Sequence, residues 1–362
     1  MSVQGDFMTI YFIQPAVPEY RVSFFKRLLD VYDVKIYTTE KDFLGVNTTF
    51  NSPCLDASPG FYNLFGKIYW HRQLPLLKVF KKGDIVVING NPRILNYMLL
   101  FIILRVLGIK SVWWGQGWTA GSFGYLARLR VSMMKLANSI LVYTDKEKSK
   151  LHLRSCYSLN NGLDSAFISR FSEPEVFRES LVNGDFNLVF VGRLTEKANL
   201  KMLLLALSKV SPRICLNVIG TGDDEAFYKQ LAISLGVKNR VLWHGGLFNE
   251  LKISKIMNRS HAFIYTGAVG LSLIHAYNYS LPAIIHSDEK YHMPEFAAFE
   301  ESINGFGFRR NDVEDLCRKI EKIASLQLED YVEMRKAAQI TVSKSFNIDD
   351  MVNRFNLMIR ET

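Results

Sequence analysis

Cysteine is scarce in this chain: four in 362 residues, Cys54, Cys156, Cys215 and Cys317, without a CxxC pair. That spacing argues against a zinc site or a disulfide framework and leaves reduced, structural thiols. Long apolar runs are missing too. The longest, Ile94 to Leu104, is interrupted by Asn96 and followed by Arg105, well short of the roughly 20 residues that span a bilayer. It reads as a buried helix. The opening MSVQGDFMTIYF carries Asp6 and no basic segment ahead of an apolar stretch, so a secretory signal is not expected and a cytoplasmic protein is. No interleaved aromatic repeat supports nucleic-acid binding, and nothing in the composition suggests disorder, a collagen-like repeat or a coiled-coil rod.

What is present is ordinary globular material, with 48% hydrophobic and 22% charged residues. The length is more than twice the roughly 150 residues of a typical domain, so two domains are expected. The net charge of +9 is uneven. Residues 1–182 hold 22 Lys/Arg against 14 Asp/Glu, and residues 183–362 hold 22 against 21. A basic first half suits an anionic membrane face or a phosphorylated acceptor, with a plainly solvated surface as the competing explanation.

Short β-rich runs alternate with helix-like stretches in both halves, the pattern of parallel α/β sheets. The expected strands are Thr9 to Ile13, Val34 to Tyr37, Ile85 to Ile88, Ser111 to Trp114 and Ser139 to Tyr143, then Leu188 to Val191, Leu216 to Ile219, Val241 to Trp243, Ala262 to Tyr265 and Ala283 to Ile285. Two Rossmann-like domains follow. The polar segment Ser165 to Asn183, containing Pro174, is the expected linker, which divides the chain into 1–180 and 181–345. A last stretch, Ile348 to Arg360, has amphipathic helical spacing and must dock on something.

Ligands of open α/β sheets bind beyond the carboxyl ends of the strands. After Leu188 to Val191 stand Gly192, Arg193, Leu194 and, four residues beyond Arg193, Lys197. Two cations at a strand-to-helix turn suit a diphosphate, although surface cations are common. The next strand ends in Gly220-Thr221-Gly222, a weak GxG without the third glycine of a dinucleotide fingerprint, so NAD is not expected. Further on, Gly267, Ala268, Val269 and Gly270 precede a helix opening with Leu271 and Ser272. Bare backbone and helix amides there favour an anion or a sugar, the alternative being a simple glycine turn. His275 follows one turn later, placed to offer a ring nitrogen to a hydroxyl unless it is structural.

In order and spacing these elements resemble the nucleotide-binding half of retaining glycosyltransferases of family 4, which have the two-domain GT-B fold. The resemblance rests on Val191-Gly192-Arg193-Leu194, Gly220-Thr221-Gly222, Trp243-His244-Gly245-Gly246, the Gly267 to Ala276 loop and helix, Leu281-Pro282-Ala283-Ile284, Pro294-Glu295 and Asn304-Gly305. Tyr143-Thr144-Asp145 and Asn161-Gly162-Leu163-Asp164 resemble the signals that close the first domain. The resemblance implies an α/β fold of two Rossmann-like domains with parallel sheets facing a cleft, a final helix at 346–362 packing back on the first domain, and cleft closure on binding. It implies a nucleotide-sugar donor with UDP as the expected nucleotide, no cofactor and no metal. The donor would lie against Gly192, Gly222, Gly246, Leu247, Gly267 to Ser272 and His275, with Arg193 and Lys197 stabilising the departing diphosphate.

Three departures stand out. The family's two glutamates, with seven residues between them, are replaced by Gly267 and His275. Ala198 holds the place of its phosphate lysine, with Lys197 one position early. The glycine-rich loop after the first strand is replaced by Gln14 to Arg21, which makes Tyr20 and Arg21 acceptor candidates. Trp114, Gln116 and Trp118, at another strand end, join them as a surface suited to sugar stacking, against the alternative of core tryptophans. Tyr125 to Ala137 permits a basic amphipathic helix on a membrane or an ordinary half-buried helix. The expected function is transfer of a sugar to a lipid-linked saccharide in bacterial surface polysaccharide assembly, at the inner face of the membrane. A silent binding protein of the same fold and a nucleotide-sugar epimerase are the alternatives.

Overall fold

The structure, a computed structural model, describes residues 8–76, 79–117, 125–173 and 184–362. Two compact units divide it: residues 1–160 with 348–362, and residues 161–347.

The N-terminal unit is built on β1 (Thr9–Ile13), β2 (Asp33–Thr39), β3 (Leu55–Ser58), β6 (Ile85–Asn89), β7 (Lys110–Trp114), β8 (Ser139–Val142) and β9 (Cys156–Ser158). These pair in the order β3-β2-β1-β6-β7-β8-β9, parallel throughout. A separate antiparallel hairpin joins β4 (Phe61–Phe65) to β5 (Ile68–His71). Strands buried on both faces need apolar residues at successive positions, and Ile85 to Ile88 are all within 2% of full burial. Because side chains alternate across a strand, the adjacent Trp113 and Trp114 serve different layers. Trp114 packs with Phe12, Phe24 and Phe25 beside α1 (Glu19–Leu29), and Trp113 stacks on Phe101 of α2 (Leu95–Leu107). Helices α3 (Tyr125–Met134) and α4 (Asp145–Leu151) complete this unit. Thr144 and Glu147 form a reciprocal cap on α4.

The C-terminal unit begins with a short helix, α5 (Ser165–Ile168). It then alternates β10 (Phe186–Val191), α6 (Leu200–Leu207), β11 (Ile214–Ile219), α7 (Glu225–Ser234), β12 (Val241–Gly245), α8 (Glu250–Met257), β13 (Ala262–Tyr265), α9 (Leu271–Asn278), β14 (Ala283–His286) and β15 (Gly305–Phe308), followed by α10 (Val313–Ala324) and α11 (Leu328–Lys344). Its six strands run parallel in the order β12-β11-β10-β13-β14-β15. The order reverses at β10, which puts the ends of β10 and β13 side by side where such sheets take ligands.

The last helix, α12 (Ile348–Glu361), belongs to the N-terminal unit. Met351, Phe355 and Met358 are fully buried in the core around Phe12 and Phe24. Arg354 bridges Asp145 at 2.9 Å and Asp350 at 2.7 Å.

Two expectations are corrected. The division falls between Asn160 and Asn161 rather than near 180. Leu163 donates to the Phe346 carbonyl at 3.2 Å, and a Cβ on Gly162 would stand 2.0 Å from the Phe346 carbonyl carbon, so this segment is packed into the second unit. Residues 174–183 of the expected linker lie outside the described residues. The apolar run at Ile94 to Leu104 forms α2, but only one side is buried. Tyr97, Leu100, Phe101 and Leu104 face the sheet, while Leu95, Leu99, Ile102 and Val106 are exposed, because α2 is an outer layer. Among the described residues no helix is long and apolar enough to cross a membrane.

Phe355→Ala should lower unfolding stability by about 3–5 kcal/mol, the cost of emptying an aromatic site in a packed core. Denaturant unfolding monitored by circular dichroism checks this, and an unchanged midpoint would refute the placement of α12 in the core.

Candidate functional site

The loops leaving β10, β11 and β12 are stitched together by backbone hydrogen bonds: Gly192 N–H to the Ile219 carbonyl at 3.0 Å, Leu194 to Thr221 at 3.0 Å, and Gly220 to Gly245 at 2.8 Å. The GxG pair is explained by this stitching. A Cβ on Gly220 would lie 1.9 Å from the Gly192 oxygen, and one on Gly222 would lie 2.3 Å from the Leu194 oxygen. These glycines let two loops pass each other, whatever else they touch. Gly246 is exposed and packs beside Thr221, and Leu247 is half-buried. Phe248 beyond them is 97% exposed, an aromatic that sequence reading did not single out.

Beyond β10, Arg193 and Lys197 are both exposed and have no ion-pair partner among the described residues. Lys197 lies in a 3-10 turn at Glu196–Ala198 that leads through a left-handed Asn199 into α6. The loop leaving β13 closes onto this turn. Thr266 donates its hydroxyl to the carbonyls of Ala198 (3.2 Å) and Asn199 (2.8 Å), and a Cβ on Gly267 would stand 2.1 Å from the Lys197 oxygen. The structure thus brings the cationic turn and the glycine loop together, and no side chain, carboxylate included, fits at Gly267 with this backbone.

Gly270 starts α9 with no side-chain cap, so the amides of Leu271 and Ser272 form an uncapped helix end beside the half-buried Ala268. An uncapped helix start attracts negative charge through its free N–H groups and the helix dipole. Val269 needs correction as a ligand contact. Its side chain is fully buried, its N–H donates to Nδ1 of His292 at 3.0 Å, and its carbonyl accepts from Met293 N–H at 3.0 Å.

His292 is a site residue that sequence reading missed. Its Nδ1 accepts from Val269 and its Nε2 donates to the His286 carbonyl at 2.7 Å, so the ring is neutral with the proton on Nε2. It is sandwiched between His286 and Phe296, with centroids 3.7 Å and 4.4 Å away. Burial pushes its pKa down to about 4, against the pull of its bond to the His286 carbonyl. Glu295 stands in the sequence beside Pro294. It is 4% exposed, accepts from Asn161 Nδ2 at 3.0 Å, and its other oxygen faces Gly270.

His275 is also paired. Its Nε2 lies 2.8 Å from Glu250 Oε1 on α8, and Tyr279 donates to the same oxygen at 2.5 Å. Burial raises the Glu250 carboxyl, but the hydrogen bond and charge of His275 and the Tyr279 hydroxyl outweigh it and hold the group below its ordinary value. Glu250 is therefore ionised and accepts the proton on His275 Nε2, which leaves Nδ1 as the ring nitrogen not engaged by Glu250. No short motif links Glu250 to His275, since they lie on different helices.

In the N-terminal unit the acceptor candidates are divided. Trp114 is 3% exposed and enclosed by Phe12, Phe24 and Phe25, so it is a core residue and not an open stacking face. Arg21 is 8% exposed, its guanidinium 4.9 Å from the Trp114 ring and 5.7 Å from Tyr143. Tyr20 is exposed and Gln116 half-buried; Trp118 lies outside the described residues. Gln14, at the end of β1, is 7% exposed with no partner for its Nε2 among the described residues. No group of three His, Cys, Asp or Glu among the described residues is arranged to hold a metal.

The family model of glycosyl transferases group 1 matches residues 172–341. The matched residues lie within the C-terminal unit. No curated protein matches the chain. Among solved structures, Anabaena HepE in complex with UDP superposes with a TM-score of 0.72 at 13% identity, over 98% of this chain and 100% of that one. A glycosyltransferase from Rickettsia africae gives 0.70 at 16%, covering 98% of each chain. The lipopolysaccharide outer core galactosyltransferase WaaB gives 0.68 at 14%, over 98% and 99%. At such identities the likeness is one of fold, and it assigns the GT-B architecture of two Rossmann-like units. Within the matched residues, Gly192 to Lys197, Gly220 to Gly222, Gly246-Leu247 and Gly267 to Ser272 follow the carboxyl ends of β10, β11, β12 and β13 in turn.

Two outcomes follow. His292→Phe removes the acceptor for Val269 and should destabilise the protein by about 1–3 kcal/mol, while His292→Asn, which keeps an acceptor near Nδ1, should recover part of that; thermal unfolding decides, and equal losses would refute the pinning role. Buried neutral His292, His286 (pKa about 3) and His71 (pKa about 4) bind protons in the unfolded chain before they do so in the folded one. Stability should be fully present above pH 6.5 and fall as the pH drops from there to about 4 or 3, by an amount on the order of a few kcal/mol per histidine. Denaturant unfolding across that range would contradict this if the midpoint stayed flat.

Proposed function

We propose that this chain is a retaining glycosyltransferase of the family 4 type. It would move a hexose from a UDP-sugar to a saccharide acceptor, lipid-linked, in bacterial surface polysaccharide assembly. The observation that carries the reading is the meeting of the Arg193–Lys197 turn with the Gly267 to Ser272 loop: two exposed cations and an uncapped helix start in one place. The capture of HepE with UDP supports UDP as the nucleotide. WaaB, by its name a galactosyltransferase of lipopolysaccharide, supports the acceptor class.

In this reading the acceptor hydroxyl oxygen bonds to the anomeric carbon as the bond to the diphosphate breaks; the bonding pair leaves with the phosphate oxygen, and that oxygen takes up the hydroxyl proton. The growing negative charge meets the Arg193 guanidinium, the Lys197 ammonium and the amides of Leu271 and Ser272, which stabilise it without a metal or a protein nucleophile. Gly192, Gly222, Gly246 and Leu247 line the approach, and the backbone at Gly267 and Ala268 takes the sugar. His275 Nδ1 replaces a carboxylate oxygen as the acceptor for a ribose hydroxyl, one acceptor for another, with Glu250 and Tyr279 holding the ring. On the acceptor side Tyr20, Arg21 and Gln116 remain, and the protein works as a peripheral protein at the inner face of the membrane. The exclusion of any side chain at Gly267 favours one rival, a silent binding protein that keeps the fold.

Thermal unfolding with UDP, GDP, dTDP, CMP and NAD in turn separates these readings. UDP at 100 times its dissociation constant should stabilise the protein by about 2.7 kcal/mol, and Arg193→Ala should remove most of that shift while leaving the unliganded midpoint unchanged. Absence of a shift with every nucleoside diphosphate would favour the silent protein, and a shift with NAD alone would sink the transferase.

A further inference from the structure

The N-terminal unit carries a surface that sugar transfer does not use. Residues 57–144 contain eleven Lys/Arg and one acidic residue, Asp84, so their formal charge of +10 exceeds that of the whole chain. Asp84 does not relieve it at the surface: it is 7% exposed and accepts from the amides of Thr9 and Lys81.

Within this stretch lies α2, Leu-Asn-Tyr-Met-Leu-Leu-Phe-Ile-Ile-Leu-Arg-Val-Leu, with one charged residue in thirteen. Its inner face is spent on the core. Its outer face presents Leu95, Leu99, Ile102 and Val106, exposed by 39, 39, 48 and 81%. The spacing of four, three and four residues sets them in one stripe about 16 Å long. A helix apolar on all sides is normally covered on all sides. Cations gather at its C-terminal end. Arg105 is exposed and donates to the Lys135 carbonyl at 3.0 Å, a Cβ on Gly108 would lie 3.9 Å from Lys82 Cε, and Lys110 opens the next strand. At its other end, Asn96 bonds the His71 backbone at both polar groups, tying α2 to the hairpin of β4 and β5. That hairpin exposes Tyr62, Leu64 and Phe65, with Arg72 over the Tyr62 ring at 4.6 Å.

We propose that the outer face of α2, with the tip of this hairpin, is an attachment surface for a membrane containing anionic lipid. The stripe enters the boundary between headgroups and acyl chains, and the surrounding lysines and arginines meet lipid phosphates. Charge selects this occupant. A second copy seated on the same face would set Arg72, Lys82, Arg105 and Lys110 against their own copies, and a nucleic acid would engage the cations while leaving the aliphatic stripe in water. The inference rests on the peripheral-membrane part of the preceding reading and not on its transfer chemistry, so vesicle binding and the UDP shift fail separately.

Co-sedimentation of the full chain with phosphatidylcholine vesicles, with and without phosphatidylglycerol, tests it. The chain should pellet with the anionic vesicles and largely stay in solution with the neutral ones. Ile102→Ser with Val106→Ser should weaken partitioning about tenfold or more with an unchanged thermal midpoint. Lys82→Gln and Lys110→Gln, which leave the stripe intact, should each cost about fivefold at low salt. Failure to pellet, equal pelleting with both vesicles, or indifference to both the serine and the glutamine variants overturns the proposal. So does a dimer in light scattering that the serine variant dissociates, since the stripe would then belong to a second copy.

Discussion

No side chain fits between Gly267 and the carbonyl of Lys197, and the geometry of the candidate site depends on that approach. With the α-carbon of one loop pressed on the backbone of another, Thr266 reaches two carbonyls of the turn before α6 and welds the ends of β10 and β13 together. The left-handed Asn199 turns the chain into α6 at the same place. Two exposed cations and a helix start therefore share one edge of the sheet without any direct bond between them. The constraint also bars a carboxylate, or any other side chain, at Gly267: this backbone has room for hydrogen only.

Negative charge is nevertheless close by, supplied by other segments. Glu250 comes from α8 to hold His275, and Glu295 comes from the turn after β14 to lie beside Gly270. Each orients a neighbour, and the groups left facing outward around the Gly267 loop include the Arg193 and Lys197 cations and the amides that open α9, with the Glu196 carboxylate in the same turn as Lys197. His292 supports the loop from below. As a neutral ring with a defined tautomer, it takes the Val269 amide that would otherwise be buried without an acceptor.

The N-terminal unit obeys different demands. Its neighbouring tryptophans are divided between two core layers because the strand alternates, so both indoles went to packing, with their Nε1 atoms left without partners among the described residues. Its outer surface is where its chemistry lies: a cation-rich stretch with its one carboxylate buried, and an apolar helix face.

The strand rhythm was legible in the chain, and all ten expected strands are present, because doubly buried parallel strands need apolar runs bounded by turns. Edge strands β3 and β9, the hairpin strands β4 and β5 and the glycine-rich β15 are not among them. Leu55-Asp56-Ala57-Ser58, Cys156-Tyr157-Ser158 and Gly305-Phe306-Gly307-Phe308 have too little continuous apolar character to signal a strand. The sequence by itself determined the two α/β halves, the glycines at strand ends and the positions of Arg193, Lys197 and His275, since these follow from local pattern. Only the tertiary structure decided that Val269 and Trp114 face inward, that Glu250 and His292 belong to the site, and that α2 is covered on one side alone. Those facts rest on which segments meet across tens of residues, and no local spacing encodes a contact between chains of atoms that only folding brings within 3 Å.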